Sequence, residues 1–101
     1  MEIKKVTKND LVDSIYQNHE LQIEKQNIQK VVDALLLEIK NSLSQGSTIE
    51  LRGFGTFEPR LRKAKSAARN PKTGESVKVD AHYVAAFRAG LELKEKLWDL
   101  K

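Results

Sequence analysis

Between Arg52 and Lys78 the chain carries eight basic side chains: Arg52, Arg60, Arg62, Lys63, Lys65, Arg69, Lys72 and Lys78. Only Glu58 and Glu75 oppose them, which leaves +6 in this segment against +4 for the whole chain, so everything outside it is −2. A stretch this polar cannot bury both faces. It also holds one sharp turn signal, Asn70-Pro71-Lys72-Thr73-Gly74, with proline at the second turn position and glycine at its end. Basic residues recur at strand-like intervals before the turn: Arg60 and Arg62 are two apart, as are Lys63 and Lys65. The parity changes between Arg62 and Lys63, so one strand face cannot hold both pairs without a bulge or a break. Pro59 cannot donate to a ladder, which predicts an open edge there. Thr56 onward is expected to be the first strand of a hairpin and Ser76–Val79 its return strand. A two-stranded ribbon with so few apolar residues should extend into solvent. Such a ribbon is marginally stable in water alone, so its outer half is expected to be ordered by a polyanion.

The remaining chain must supply the base. A length of 101 residues sets a single domain, 1–101, with only a modest core of its own. If the ribbon adds nothing to that core, dimerisation is the physical remedy. There is no cysteine, hence no disulfide framework and no thiolate metal site. Met1–Lys5 is charged, and no apolar run approaches the roughly 20 residues of a membrane span. A soluble intracellular protein with no membrane association is expected.

Thr7 reads as a helix N-cap with Asp10 at the third helical position, and Val6 and Leu11 occupy the positions of a hydrophobic staple. Leu11, Val12, Ile15 and Tyr16 then form one apolar stripe. A second helical pattern begins near Glu24 and ends before Gly46, the expected C-cap. Its apolar positions include Ile28, Val31, Val32, Leu35, Leu36, Leu37, Ile39 and Leu43. That stripe is too wide for the short first helix to cover, so residues 7–46 are expected to form a helical dimerisation region with Leu35, Leu36 and Ile39 in the dimer core. The short link between the helices makes them antiparallel neighbours. Thr48–Leu51 alternates like a short strand, and Phe54 and Phe57 are placed in the core. A last helix is expected from about Gly90 to Asp99. Trp98 either caps the core or adds surface contact.

Gly53-Phe54-Gly55-Thr56-Phe57, the basic run to Ala68, Arg69-Asn70-Pro71-Lys72-Thr73-Gly74-Glu75, and Val84 with Phe87-Arg88-Ala89-Gly90 together resemble the bacterial histone-like HU and integration host factor family. The resemblance covers nearly the whole chain. The opening VTKNDLVD and the longer link between the first two helices look like spirochaete members. The resemblance implies an α+β fold: an intertwined dimer, homodimeric or heterodimeric, with a helical body, a short antiparallel sheet and two protruding β-ribbon arms. The arm would span residues 58–79. It further implies that Pro71 wedges between base pairs of double-stranded DNA. Arg69 would enter the minor groove with Asn70 supporting it, and Phe54, Phe57 and Phe87 would be dimer-core aromatics. The chain departs from the commonest family pattern at Ala68 (usually glycine), at Pro59, Asp80, Ala85 and Leu91, and by one additional residue between Phe57 and Pro71.

The chemistry expected is binding rather than catalysis, with no cofactor and no metal. Arg60, Arg62, Lys63, Lys65, Lys72 and Lys78 are spaced to follow two phosphate backbones, a contact that supplies affinity without reading sequence. Lys4, Lys5 and Lys8 stand at a helix start, where phosphate is favoured, and Lys94 matches a family lysine that can reach DNA. Shape-dependent specificity would favour bent, nicked or flexible duplexes. Such a protein would organise the nucleoid in the cytoplasm. A site-preferring bender of the integration host factor kind is one alternative. An RNA-binding protein is another, and RNA binding as a secondary activity is a third. The only histidines, His19 and His82, lack neighbours at metal or catalytic spacing.

Overall fold

The computed structural model describes residues 4–18 and 20–100, with backbone alone at 67 and 68. His19 therefore lies outside the described residues. Two compact units divide the chain, the first ending at Asn41 and the second covering Ser42–Leu100.

The first unit is built on α1 (Lys8–Tyr16) and most of α2 (Lys25–Ser44). Thr7 caps α1 in both directions: its hydroxyl accepts from the Asp10 N–H at 3.2 Å, and its own N–H donates to Asp10 Oδ2 at 3.0 Å. The Thr7 backbone N–H, and after it the hydroxyl, hold the Asp10 carboxyl below its usual range. A carboxyl depressed by folding contributes stability above its unfolded value, and that contribution is lost as pH falls through the folded value. Thr7→Ala removes the hydroxyl that accepts from the Asp10 N–H and is expected to cost about 1 kcal/mol, as loss of an N-cap does. Alanine keeps the backbone N–H that is the first cause of the Asp10 shift, so the loss in melting temperature should persist into acid, which thermal melts across pH would check. The expected staple does not form a buried contact, because Val6 and Leu11 both stay exposed.

Two ion pairs fix the helix pairing. Lys8 Nζ meets Asp33 Oδ1 at 2.6 Å, and Lys25 pairs with Asp13. Position advances along α1 as it recedes along α2, so the helices are antiparallel, as their short link requires. Gly46, at φ +84°, ends α2 as the sequence predicts. The Gly46 N–H donates to Leu43 O at 2.9 Å and the Ser47 N–H to Ser42 O at 3.0 Å, the two bonds of a Schellman cap. Val12 and Ile28 are the only fully buried apolar side chains among the described residues. Leu35 and Leu36 remain about half exposed, at 52% and 48%, and Val31 and Leu37 are also exposed. The wide stripe on α2 is thus left uncovered within the protomer.

The second unit holds a three-stranded antiparallel sheet in the order β1-β2-β5: β1 (Ile49–Leu51), β2 (Gly55–Arg62) and β5 (His82–Ala89). A separate two-stranded ribbon joins β3 (Lys65–Arg69) to β4 (Ser76–Val79), and α3 (Leu91–Leu97) follows β5. β1 and β2 are joined by a turn over Arg52, Gly53 and Phe54, in which Gly53 takes φ +82° and the Phe54 N–H donates to Leu51 O at 2.9 Å.

The pairing of β2 corrects the expected hairpin. Its partner over eight residues, from Gly55↔Ala89 to Arg62↔His82, is β5 and not Ser76–Val79. Residues 58–62, expected in the arm, therefore belong to the sheet. β5 was not anticipated. Ala85, Ala86 and Ala89 dilute its β character, and pairing against β2 makes it a strand. The Gly90 N–H donates to Phe54 O at 2.9 Å. Counting the antiparallel alternation from there, Pro59↔Ala85 is a non-hydrogen-bonded pair. The missing N–H of Pro59 thus faces the other edge, where β1 pairing has already stopped at Phe57. The open edge expected from the proline is present.

The register also sorts the sheet into two faces. One carries Ile49, Leu51, Phe57, Pro59, Leu61, Tyr83, Ala85 and Phe87. The other carries Glu50, Thr56, Glu58, Arg60, Arg62, His82 and Arg88. Phe57 and Phe87 stand directly opposite each other with ring centroids 4.8 Å apart, and Phe54 lies 5.2 Å from Phe87 and 6.5 Å from Phe57. The aromatics do form one cluster, but it is not a closed core: Phe54 is 47% and Phe87 43% exposed in the protomer. Gly55 is the backbone position this cluster demands. A Cβ there would stand 2.5 Å from Phe87 Cζ and 2.6 Å from Arg88 O, and the backbone oxygen cannot yield. Gly55→Ala should lower stability by about 1–3 kcal/mol, an overpacking cost measurable by urea denaturation at fixed protein concentration. Trp98, just past α3, is 85% exposed and caps no core within the protomer.

Candidate nucleic-acid interface

The ribbon tip is organised around Asn70. Its N–H donates to Glu75 O at 2.8 Å, its carbonyl accepts from the Gly74 N–H at 2.7 Å, and its side-chain Oδ1 accepts from the Lys72 N–H at 2.9 Å. The Thr73 hydroxyl accepts from the Glu75 N–H at 3.3 Å, and Gly74 takes φ +74° to close the turn. None of these bonds uses Pro71, which has no N–H to give. Its ring stands exposed at the tip beside exposed Lys72 and Thr73. Arg69, also exposed, is the last paired residue of β3, opposite Ser76. The sequence-predicted tip set of Arg69, Asn70 and Pro71 is therefore contiguous, with Asn70 as its internal brace.

The parity change resolves in two places. β2 ends at Arg62 and β3 begins at Lys65, which leaves Lys63 in a break between strands. The ribbon register then shifts between Lys65↔Val79 and Ala68↔Val77, so residues 66 and 67 together face Lys78. Lys65, Lys72 and Lys78 are exposed along the ribbon, while Arg60 and Arg62 lie on the charged face of the sheet.

Because β5 was missed by sequence reasoning, Arg88 was not singled out and the face that His82 joins was not seen. Arg88 stands across from Thr56, and His82 across from Arg62. His82 Nδ1 lies 2.8 Å from the Asp80 carbonyl, which can only accept, so Nδ1 carries the proton in that contact. The alternation of Tyr83, Ala85 and Phe87 with His82, Val84, Ala86 and Arg88 was the available signal.

Other predicted contacts are less free. Arg60 Nη2 donates to Glu58 Oε1 at 3.0 Å, and Lys8 is engaged by Asp33. Lys4 and Lys5 are exposed ahead of α1, and Lys94 is exposed on α3. No group of three or more His, Cys, Asp or Glu side chains among the described residues could hold a metal. No described helix is long and apolar enough to cross a membrane.

Three helices, a small sheet with one charged face, and a basic two-stranded ribbon tipped by an exposed proline define an α+β protein of the β-ribbon class. A family model described as bacterial DNA-binding protein matches residues 6–98. DNA-binding protein HU of Thermus thermophilus is 44% identical over 94 residues, covering 93% of this chain and 94% of that one. The integration host factor subunit beta of Glaesserella parasuis is 42% identical over 92 residues, covering 91% and 97%. Among solved structures, an Anabaena HU–DNA cocrystal structure superposes with a TM-score of 0.81 at 37% identity, covering 93% of this chain and 99% of that one. The chain belongs to the bacterial DNA-binding protein family that includes HU and integration host factor.

Proposed function

We propose that this protein is an architectural double-stranded DNA-binding protein, a non-catalytic dimer that wraps and bends the duplex through its minor groove. The observation that carries this reading is the exposed, basic β3–β4 ribbon ending at Pro71 on a turn braced by Asn70. Phosphates are held by Arg62, Lys63, Lys65, Lys72 and Lys78, with Arg60 available once it leaves Glu58. Lys4, Lys5 and Lys94 contact flanking DNA, as does Lys8 once it leaves Asp33. Arg69 enters the minor groove and Pro71 supplies a compact apolar wedge at the projecting point. Unstacking one base step costs a few kcal/mol, offset by the longer contact a bent duplex permits. The minor groove offers a degenerate pattern, so shape and flexibility govern preference, and bent or nicked duplexes bind best.

The dimer follows from the protomer's own deficit. The two apolar side chains buried among the described residues cannot offset the ordering of a chain this long. The α2 stripe of Leu35, Leu36 and Ile39 and the cluster of Phe54, Phe57 and Phe87 are the surfaces a second copy covers. The protein so assembled is nucleoid-associated and acts in the cytoplasm.

End-to-end fluorescence transfer on a duplex of about 35 base pairs, titrated with salt, tests the proposal against nicked and RNA controls. The ends should approach, more so on nicked DNA. Neutralising about six phosphates predicts a loss of about 10³-fold in affinity between 50 and 200 mM salt. A nearly flat plot of log K against log salt would rule out phosphate-led binding. Tight binding without approach of the ends would remove bending from the function.

A further inference from the structure

The charged face of the sheet contains a carboxylate where a polyanion is to lie. Glu58 and Arg60 are two residues apart on β2 and so share this face, with Arg62 following. Their directly opposite partners, Ala86 and Val84, carry no charge, and the diagonal positions of this face hold Arg88 and His82, neither of which is the partner Glu58 takes. The pair closes on itself, with Arg60 Nη2 donating to Glu58 Oε1 at 3.0 Å. Glu58 is the more enclosed member, its side chain 24% exposed against 51% for Arg60. The guanidinium is thus the end that can swing away, and the carboxylate is held by the strand.

We propose that Glu58 is a built-in competitor for Arg60. Its carboxylate occupies the guanidinium in the free protein, and a DNA phosphate displaces it when a duplex settles on the sheet. This rests on the DNA-binding reading above. Both acceptors offer the planar fork of Arg60 the same charge-assisted contact. The exchange therefore returns little net energy at this position, and it leaves an unpaired carboxylate facing phosphates. Glu58 weakens binding by two routes: it takes up Arg60 in the free state and repels DNA in the bound state. The first route exists only while Arg60 is present.

A double-mutant cycle separates them. Affinity for one nicked duplex of about 35 base pairs is measured for the parent protein, Glu58→Gln, Arg60→Gln and the double variant, with dimer state checked by sedimentation. Glu58→Gln should tighten binding in both backgrounds. The gain should be about two- to five-fold larger with Arg60 present, the worth of a half-exposed ion pair. Glu58→Ala repeats the cycle without an amide that could itself bond to Arg60. Equal gains in both backgrounds, for both substitutions, would leave only general charge repulsion and overturn the competition. If the parent protein shows no salt-sensitive DNA binding, the functional reading itself fails. Parent binding with zero coupling removes Glu58 alone.

Discussion

Phe54→Ala should convert a stable dimer into one that dissociates on dilution. Phe54 lies within 5.2 Å of Phe87 and within 6.5 Å of Phe57, ring centroid to ring centroid, yet it is 47% exposed in the protomer. A ring that is half packed and half bare leaves room for neighbours from a second copy, the dimer contact proposed above. Truncating a buried phenylalanine typically costs 3–5 kcal/mol. A twofold dimer contains the site twice. Even if only about 3 kcal/mol of the total falls on association, the dissociation constant rises by about two orders of magnitude. Sedimentation velocity over a dilution series would show the shift, and an unchanged profile at low concentration would remove Phe54 from the interface. Folding and association should also be linked, because the separated protomer buries so little. The melting temperature should rise with protein concentration in the parent protein and do so from a lower start in the variant.

Much of this was legible in the residues, and what was not has a common physical cause. The caps could be read because they are local: Thr7 with Asp10, and Gly46 in the left-handed region, act within five residues of themselves. The turn at Asn70–Gly74 was visible for the same reason. The break after Arg62 followed from a conflict of parity among four basic residues, which no regular strand can satisfy. β5 was missed because its strand character lies in its pairing with β2, 24 residues earlier at the Arg60↔Val84 pair, and not in its alanine-rich composition. Missing β5 hid Arg88, moved 58–62 into the arm, and obscured the division of the sheet into an apolar and a charged face. Phe54 was expected in a core, and in the protomer it is 47% exposed, so the dimer-core place implied by the resemblance stays a proposal. Hydrophobicity says that a side chain needs cover, and it does not say which chain provides it. The Glu58–Arg60 pair was invisible as a pair, since the spacing was read as two separate entries in a charge count.

Pro71→Ala should reduce bending far more than it reduces affinity. The turn should survive the change, because its four hydrogen bonds run through Asn70, Lys72, Thr73, Gly74 and Glu75 and none requires the proline ring. The folded turn loses only the proline's restriction of the unfolded chain, about 0.4–1 kcal/mol. The basic residues of the ribbon and sheet are untouched, so the salt dependence of binding should keep its slope. What disappears is the ring proposed to enter a base step. Without it the duplex must bend smoothly, and a bend of 40–90° over 20–30 base pairs costs about 1–6 kcal/mol on elastic estimates. The complex should relax toward a straighter duplex and give up the contacts that wrapping alone supplied. At saturation, end-to-end fluorescence transfer should fall markedly on intact DNA, with affinity reduced by no more than about tenfold, or 1.4 kcal/mol. A nick at the kink position supplies the flexibility the wedge would have created, so transfer on nicked DNA should largely recover. Equal transfer by the parent protein and the variant on intact duplex would sink the wedge. Pro71 would then be a residue that shapes the turn, and the bend would have to come from phosphate neutralisation along one side of the DNA.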